Sequence, residues 1–185
     1  GEVTGFRITS PRGAEAQAPF GSHDLPRRMG LGLKRSTLDQ LLTQRAAELG
    51  ATTCLGRRIE KLSMTARGWQ LTIGGEYWQA KVLIGADGRN SWVAQQLGLH
   101  RSASMQGRSV GFQSRLRYAS AAGGQIEIHL FPGGYAGVVS LGDGTVTLGM
   151  AIDKRKLGSE RGAGFLFHEV LAQNPHLKEI IARSS

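Results

Sequence analysis

The stretch that most constrains the fold is Val82–Ser91, with the sequence VLIGADGRNS. Three consecutive apolar residues, followed by small residues around Asp87 and Gly88, predict a buried strand that ends abruptly at the start of a helix. Such junctions in α/β sheets expose backbone N–H groups, and an acidic residue there can address the ribose or phosphate of a ligand. Asp-Gly is also a common turn dipeptide, so a plain turn is the alternative.

Composition favours an ordinary globular protein with many short elements, since 40% of the 185 residues are hydrophobic and 27 are glycine. The net charge of +9 raises nucleic acid as a partner. However, the basic residues are scattered, with no long basic run and no interleaved aromatic residues for base stacking. We therefore expect no nucleic-acid partner, and interpret the charge as a solvated basic surface or as a match to anionic cofactor phosphates.

The single cysteine, Cys54, excludes an internal disulfide and a cysteine-based zinc site, and we expect it to be buried in a strand. The five histidines show no ligand spacing, so we predict no metal site. Because the sequence has no signal-like segment and no apolar run of membrane-spanning length, we expect a cytoplasmic protein without membrane insertion.

The N-terminal region predicts a short strand over residues 1–9 and a long surface loop over 10–32. Within this loop, Gly30-Leu31-Gly32 imitates a dinucleotide-binding fingerprint, but the position of its third glycine is Arg35. A helix follows, with Ser36 as its predicted cap, Leu38, Leu41, Leu42, Ala46 and Leu49 at helical spacing, and Gly50 at its end. Arg35 beside a helix N-terminus is either paired with an anion or a solvated surface residue.

Residues 52–80 predict a β-meander with a tight hairpin turn at Gly74-Gly75, and a short helix is predicted from about Asn90 to Leu97. In the second half, strands are predicted over Phe112–Tyr118, Ile126–Leu130, Tyr135–Leu141 and Val146–Ile152, which together indicate an antiparallel sheet. Helices are predicted over Phe165–Ala172 and after a cap at Asn174-Pro175. Gly107–Gly111 matches the nucleophile motif of serine hydrolases, but the predicted loop before it and strand after it reverse the context that the motif needs.

The order of these parts resembles the superfamily of FAD-dependent aromatic hydroxylases, which also includes geranylgeranyl reductases and flavin halogenases. The resemblance is carried by Arg35–Leu38 at the start of the helix, Glu48–Ala51 at its end, the meander, and Leu83–Gly88 followed by Ser91 and Val93. The stretch Phe131–Tyr135 resembles the Pro-Gly-Gly-Tyr segment of the geranylgeranyl-reductase-like branch. Ala94 stands where a basic residue is usual, and the N-terminal glycine-rich βαβ unit and the C-terminal Gly-Asp element of the family are missing from the sequence.

This resemblance implies an α/β (α+β) fold: part of an FAD-binding βαβ domain with a β-meander, plus an antiparallel-sheet substrate domain. The expected segments are 1–32 (first strand and loop of the substrate domain), 33–99 (FAD-binding segment) and 100–185 (substrate-domain sheet and C-terminal helices). It also implies that FAD is the cofactor and that Arg35, Ile59, Asp87 and Gly88 are the candidate cofactor-binding residues.

The function implied by the resemblance is that of a fragment of an FAD-dependent oxidoreductase, a monooxygenase or reductase acting on an apolar or aromatic small molecule. NAD(P)H is the expected reductant of the flavin. No residue can be assigned as a general acid or base, and we expect the isolated chain to be inactive. The alternative is a non-catalytic basic β-sheet module that binds an anionic ligand or partner.

Overall fold

A computed structural model describes residues 1–21, 29–99, 109–118, 124–156, 165 and 169–184. The chain forms two compact units, which we name the sheet unit (Gly1–Gln40 with Met105–Ser185) and the meander unit (Leu41–Ser104). The strands are β1 (Glu2–Val3), β2 (Gly5–Thr9), β3 (Glu15–Pro19), β4 (Gly30–Leu31), β5 (Ile59–Thr65), β6 (Gly68–Ile73), β7 (Glu76–Ala80), β8 (Ser109–Arg117), β9 (Gln125–Phe131), β10 (Gly134–Ser140) and β11 (Thr145–Asp153). The α-helices are α1 (Arg35–Glu48), α2 (Trp92–Gln96) and α3 (Pro175–Ala182). The predicted mixed α/β fold is confirmed.

The sheet unit is built on a six-stranded sheet with the order β3-β2-β9-β10-β11-β8. All neighbouring strands are antiparallel except β2 and β9, which run parallel. The predicted antiparallel sheet of the second half is therefore confirmed. Its hairpins turn at Pro132-Gly133 and at Gly142–Gly144, where Gly133, Gly142 and Gly144 have φ angles of 92°, 81° and 76° that favour glycine.

One face of this sheet carries the core. Along β11 alternate side chains are buried, namely Val146, Leu148, Met150 and Ile152. They form one cluster with Leu171, Leu177 and Ile180 from the C-terminal segment. Period-two burial places these four side chains on the same face, so the C-terminal segment covers that face and the opposite face is left outside the core.

Helix α3 begins at a buried cap, as predicted. The Oδ1 atom of Asn174 accepts hydrogen bonds from the backbone N–H groups of His176 at 3.0 Å and Leu177 at 3.3 Å. Pro175 occupies the first turn, where its missing N–H costs no hydrogen bond. The helix then places Leu177 and Ile180 on one side, where they enter the core.

The meander unit contains the three-stranded sheet β5-β6-β7. The predicted hairpin turn is confirmed, because Gly74 and Gly75, with φ angles of 60° and 79°, connect β6 to β7. Two consecutive positive φ angles match the right-handed twist of the flanking strands and are accessible to glycine at little cost. The meander begins only at Ile59, so the prediction of β-structure from residue 52 is wrong, and Cys54 is exposed outside any strand rather than buried in one.

Two other predictions for strands are wrong. Val82–Ile84 is not a strand, and Val82 and Ile84 are 73% and 81% exposed. An extended segment becomes a strand only when a neighbour pairs with its backbone, and within the described part of the chain no strand pairs with this segment. The predicted loop over 10–32 contains the strands β3 and β4. All five residues of β3 are exposed, so the strand has no apolar pattern that could predict it from the sequence. It forms because its backbone pairs with that of β2.

The helices differ from prediction mainly at their ends. Helix α1 begins at Arg35, so Ser36 lies inside it rather than at its cap, and none of its residues is buried. Helix α2 spans Trp92–Gln96 and ends before Gly98, whose φ angle is 65°. The predicted helix Phe165–Ala172 lies partly outside the described residues; at its C-terminal end, Leu171–Gln173 forms a 3-10 turn. Ser109 of the rejected hydrolase motif is the first residue of β8.

The cap of α3 yields a test. Replacement of Asn174 by Ala removes the two cap bonds and leaves buried polar groups unpaired, so we expect a loss of about 2 to 4 kcal/mol in the free energy of unfolding. Urea denaturation followed by circular dichroism measures this loss. Gln173→Ala is the matched control, because Gln173 is the adjacent exposed residue. Equal stability of the two variants would contradict the role given to Asn174.

Candidate functional site

The meander unit contains a cavity of about 380 Å³. One wall is formed by Arg57, Arg58 and Ile59, at the start of β5, and the other by Leu83–Asp87 with Trp92 and Val93 of α2. Its volume lies in the range of about 300 to 1,000 Å³ that is typical of small-molecule sites. Part of the stretch Val82–Ser91 thus forms one side of a cavity, and ligand binding at this junction stays a prediction.

Asp87 organises the start of α2. Its Oδ2 atom accepts hydrogen bonds from the backbone N–H groups of Trp92 at 2.7 Å and Val93 at 3.1 Å. Its Oδ1 atom accepts a hydrogen bond from the hydroxyl of Ser91 at 2.5 Å, and the Ser91 oxygen in turn accepts from the N–H of Ala94 at 2.9 Å. These bonds, that from Ser91 first and then that from Val93, lower the pKa of Asp87 below its ordinary value. The carboxylate therefore neutralises the positive end of the helix.

Two glycines shape this loop. Gly88 has a φ angle of 85°, a left-handed conformation that reverses the chain directly after Asp87. A Cβ atom on Gly85 would lie only 3.0 Å from a methyl carbon of Val93. Gly85 is therefore required for the close approach of the loop to α2, a role that sequence reasoning did not assign to it.

Two arginines, Arg57 and Arg58, are among the residues that line the cavity. The Nη1 atom of Arg57 donates a hydrogen bond to Oε2 of Glu76 at 3.3 Å, an ion pair that is largely exposed on both sides. Neither arginine was predicted from the sequence as a candidate site residue. Their adjacency directly before the strand that begins with Ile59 was the signal that could have identified them.

The four predicted site residues are divided between the two units, with Arg35 in the sheet unit and Ile59, Asp87 and Gly88 in the meander unit. Ile59 and Asp87 line the same cavity, and Gly88 adjoins it without contributing to its lining. Arg35 lies on α1 in the sheet unit and is 84% exposed at its side chain. Its Nε atom donates to Oδ1 of Asp39 at 2.7 Å, and this bond raises the pKa of Arg35. The anion that pairs with Arg35 at the helix start is thus a carboxylate of the same helix.

A second apolar surface lies on the face of the six-stranded sheet opposite the core. The register places Ile8, Ile128, Gly137 and Gly149 side by side across β2, β9, β10 and β11. A Cβ atom on Gly149 would meet nothing within 4 Å, so the centre of this face is open. Phe6, Leu130 and Tyr135 are partly exposed around it. We call this surface the open sheet face.

Within the described residues, no group of histidine, cysteine, aspartate and glutamate side chains has the arrangement of a metal site. The same part of the chain contains no helix long and apolar enough to cross a membrane.

The fold is that of flavoproteins of the halogenase and dehydrogenase type, which confirms the predicted resemblance. A flavoprotein/dehydrogenase from Cytophaga hutchinsonii superposes on the whole chain with a TM-score of 0.84 at 14% identity, and the chain covers 47% of it. The halogenase PltM in complex with phloroglucinol and FAD does so with a TM-score of 0.78 at 16% identity, and the chain covers 42% of it.

A curated relative agrees with these structures. Digeranylgeranylglycerophospholipid reductase of Methanosarcina acetivorans is 27% identical over an alignment of 175 positions, and the alignment covers 87% of this chain and 40% of the reductase. The chain thus spans less than half the length of this reductase and of the two flavoproteins above. No protein-family model matches the chain.

The role of Asp87 can be tested without a ligand. Asp87→Ala removes all three acceptor contacts, so we expect the amide protons of Trp92 and Val93 to exchange with solvent several-fold faster. Because the pKa of Asp87 is lowered by folding, its stabilising effect is present above the ordinary aspartate pKa of about 4 and is lost as the pH falls through the lowered pKa. Hydrogen exchange of the chain above pH 5 measures the change.

Asp87→Asn retains one acceptor oxygen and should have an intermediate effect on the same amides. Glu48→Ala is the control, because Glu48 is an exposed acid of the meander unit that pairs with Arg45. If Asp87→Ala and Glu48→Ala leave the protection of Trp92 and Val93 equally intact, Asp87 does not hold the start of α2.

Proposed function

We propose that the chain is part of an FAD-dependent oxidoreductase and that the cavity of the meander unit holds part of the FAD. The observation that carries the proposal is the set of residues that line the cavity, in which apolar residues and two arginines occur together with the capped start of α2. Structural neighbours that contain FAD support the proposal.

The residues present fit such a cofactor. A dinucleotide combines a flat base, which suits apolar side chains such as Ile59 and Trp92, with phosphates, which suit the planar guanidinium groups of Arg57 and Arg58. The volume of about 380 Å³ suits one portion of a dinucleotide, so other parts of the whole protein would hold the remainder. When bound, the flavin supplies the redox chemistry, and the protein residues provide placement and electrostatics.

Asp87 has a positioning role in this proposal. A carboxylate close to a pyrophosphate is repelled by it unless other donors hold the carboxylate in place. Asp87 already accepts three hydrogen bonds from Ser91, Trp92 and Val93. It would therefore fix the loop from Gly85 to Gly88 against which the cofactor lies, and need not contact the phosphates.

We place the substrate on the open sheet face. Its isoleucine side chains and glycine positions offer apolar surface without a charged group at the centre, which suits an apolar or aromatic small molecule. The proposed reaction is either the reduction of a double bond or a monooxygenation, with NAD(P)H as the reductant of the flavin. The isolated chain should be inactive, because the remainder of the cofactor site would lie in other parts of the whole protein.

A second candidate is a non-catalytic module that binds an anionic ligand or partner. The net charge of +9 favours it, because such a charge attracts anions without any redox chemistry. The two functions differ in a directly visible property: the intact protein should purify with the absorbance of bound flavin if it is an oxidoreductase. A colourless protein that does not take up added FAD would favour the module.

The cavity arginines provide the sharper test. In the intact protein, Arg58→Gln should weaken FAD affinity about tenfold or more, the size expected for the loss of one charge-assisted contact. Arg67→Gln is the control, because Arg67 lies in the turn between β5 and β6 and does not line the cavity. Fluorescence titration of FAD with each apoprotein measures the affinities. Equal affinities would remove Arg58 from the site.

The predicted role of Arg35 needs its own pair of variants. If Arg35 serves a cofactor phosphate, Arg35→Ala in the intact protein lowers flavin retention, whereas Arg45→Ala does not. Arg45 is a well-matched control, because it lies on the same helix and forms a comparable exposed ion pair, with Glu48 at 3.0 Å. Flavin content per polypeptide after extensive dialysis measures retention. If both variants retain flavin like the parent, Arg35 is only a surface residue paired with Asp39.

A further inference from the structure

A second cavity, of about 320 Å³, lies in the sheet unit, apart from the residues assigned to FAD and substrate. Its volume is at the lower end of the range of about 300 to 1,000 Å³ that is typical of small-molecule sites. Polar residues of β2, β9 and α3 line it, together with Tyr118 after β8 and one apolar residue, Ile180. We call it the second cavity.

Polar residues occupy core-facing positions of the sheet at this cavity. Arg7 of β2 lies opposite both Gln17 of β3 and Glu127 of β9, so the three residues share one face. Glu127 also lies opposite Val138 of β10, which is 3% exposed, so this face is the one that carries the core. Polar groups on a covered face cost stability unless they have partners, and a bound ligand would provide such partners.

The charged groups around the second cavity leave one excess negative charge. Arg7 donates through Nη1 to Oε2 of Glu127 at 3.0 Å and through Nη2 to Oε2 of Glu15 at 2.7 Å, so two carboxylates share one guanidinium. The other two charged residues that line the cavity, Glu179 and Arg183, form an exposed ion pair at 2.8 Å and cancel each other. The excess charge therefore lies beside Arg7.

The ionisation of these groups supports that count. The hydrogen bond from Arg7 is the largest of the contacts that hold the pKa of Glu15 at about 2. Burial raises the pKa of Glu127, but the contacts with His129 and Arg7 outweigh burial and lower it overall. Nδ1 of His176 lies 3.3 Å from Nη2 of Arg7, which can only donate, so this nitrogen accepts and the imidazole is uncharged in this contact.

Three oxygen atoms of the lining residues have unused acceptor capacity among the described residues. Oε1 of Glu127 accepts no hydrogen bond there, and Gln125 donates to Gln17 at 3.0 Å, which leaves its own side-chain oxygen without a donor. Tyr118 is only 8% exposed, and its hydroxyl has no hydrogen-bond partner in the same part of the chain. Because a buried phenol normally has a partner, the cavity that Tyr118 lines is the place where one would bind.

We propose that the second cavity binds the primary ammonium group of a small organic amine. Such a cation supplies the missing positive charge, and its three N–H donors equal in number the free oxygens of Glu127, Gln125 and Tyr118. The Tyr118 ring and Ile180, which is 4% exposed, offer aromatic and apolar surface to the carbon chain of the amine. An anion is repelled by the excess negative charge, and a neutral molecule leaves that charge uncompensated.

A set of small probes tests the charge and the N–H donors in the intact, unmodified protein. We expect n-butylammonium to shift the methyl resonance of Ile180 with a dissociation constant on the order of 1 mM, which a ligand of this size can reach. n-Butanol lacks the charge and tetramethylammonium lacks the N–H donors, so both should bind about tenfold more weakly or less, and n-butyrate should not bind. Methyl NMR of isoleucine-labelled protein, with Ile180 assigned through Ile180→Val, measures all four.

The absence of a saturable shift with n-butylammonium, or equal affinity for n-butanol or tetramethylammonium, overturns the proposal. Ile59 is the internal reporter of position, because it lines the cavity assigned to FAD and not the second cavity. A titration at Ile59 without one at Ile180 also overturns it. None of these outcomes depends on whether the protein binds flavin.

Two variants test the acceptor groups. Glu127→Gln removes the charge but keeps an oxygen for Arg7, and should weaken n-butylammonium binding about tenfold. Tyr118→Phe keeps the buried ring but removes the phenol oxygen, and should weaken binding about fivefold. Glu2→Gln is the control with parental affinity, because Glu2 is an exposed carboxylate of the sheet unit that does not line the cavity. Parental affinity in either Glu127→Gln or Tyr118→Phe overturns the proposal.

Discussion

The contact on which the sheet unit depends is the buried side chain of Asn174. A single amide caps α3 through its oxygen and binds Thr9 and the carbonyl of Leu130 through its nitrogen. Asn174 thereby joins the start of α3 to the neighbouring strands β2 and β9 at one point. Because α3 supplies Leu177 and Ile180 to the core, the polar contact fixes where the apolar contacts form.

The meander unit solves a similar problem with a charged residue. Asp87 holds the start of α2 as Asn174 holds the start of α3, but it does so at the surface and beside a cavity rather than in the core. The loop that contains Asp87 is thus ordered by contacts within the protein, before any ligand binds. A site that is ordered in advance spends less of its binding energy on its own rearrangement.

The elements that could be predicted from sequence are those specified by local patterns. Period-two alternation identified β9 to β11, and paired glycines identified the turn at Gly74-Gly75, because both signals lie within a few residues. The strand β3 and the cavity wall at Arg57 and Arg58 escaped prediction, since one depends on pairing without burial and the other on residues about 25 positions apart that meet only in the fold. Val82–Ile84 shows the converse, because an apolar run becomes a buried strand only where a neighbouring strand pairs with its backbone.

The parallel pair β2–β9 also has a consequence for how the sheet unit assembles. The hairpins β9–β10 and β10–β11 close short loops, whereas Thr9 reaches His129 across 120 residues of chain. Closing so long a loop is slow, so the hairpins are expected to form first and β2 to be added late. A strand added late contributes little to the transition state, so weakening it should leave the folding rate nearly unchanged and accelerate unfolding. The kinetic lifetime of the folded sheet is then set by the junction between β2 and β9, inside the sheet, where an N-terminal strand pairs with a strand of the second half.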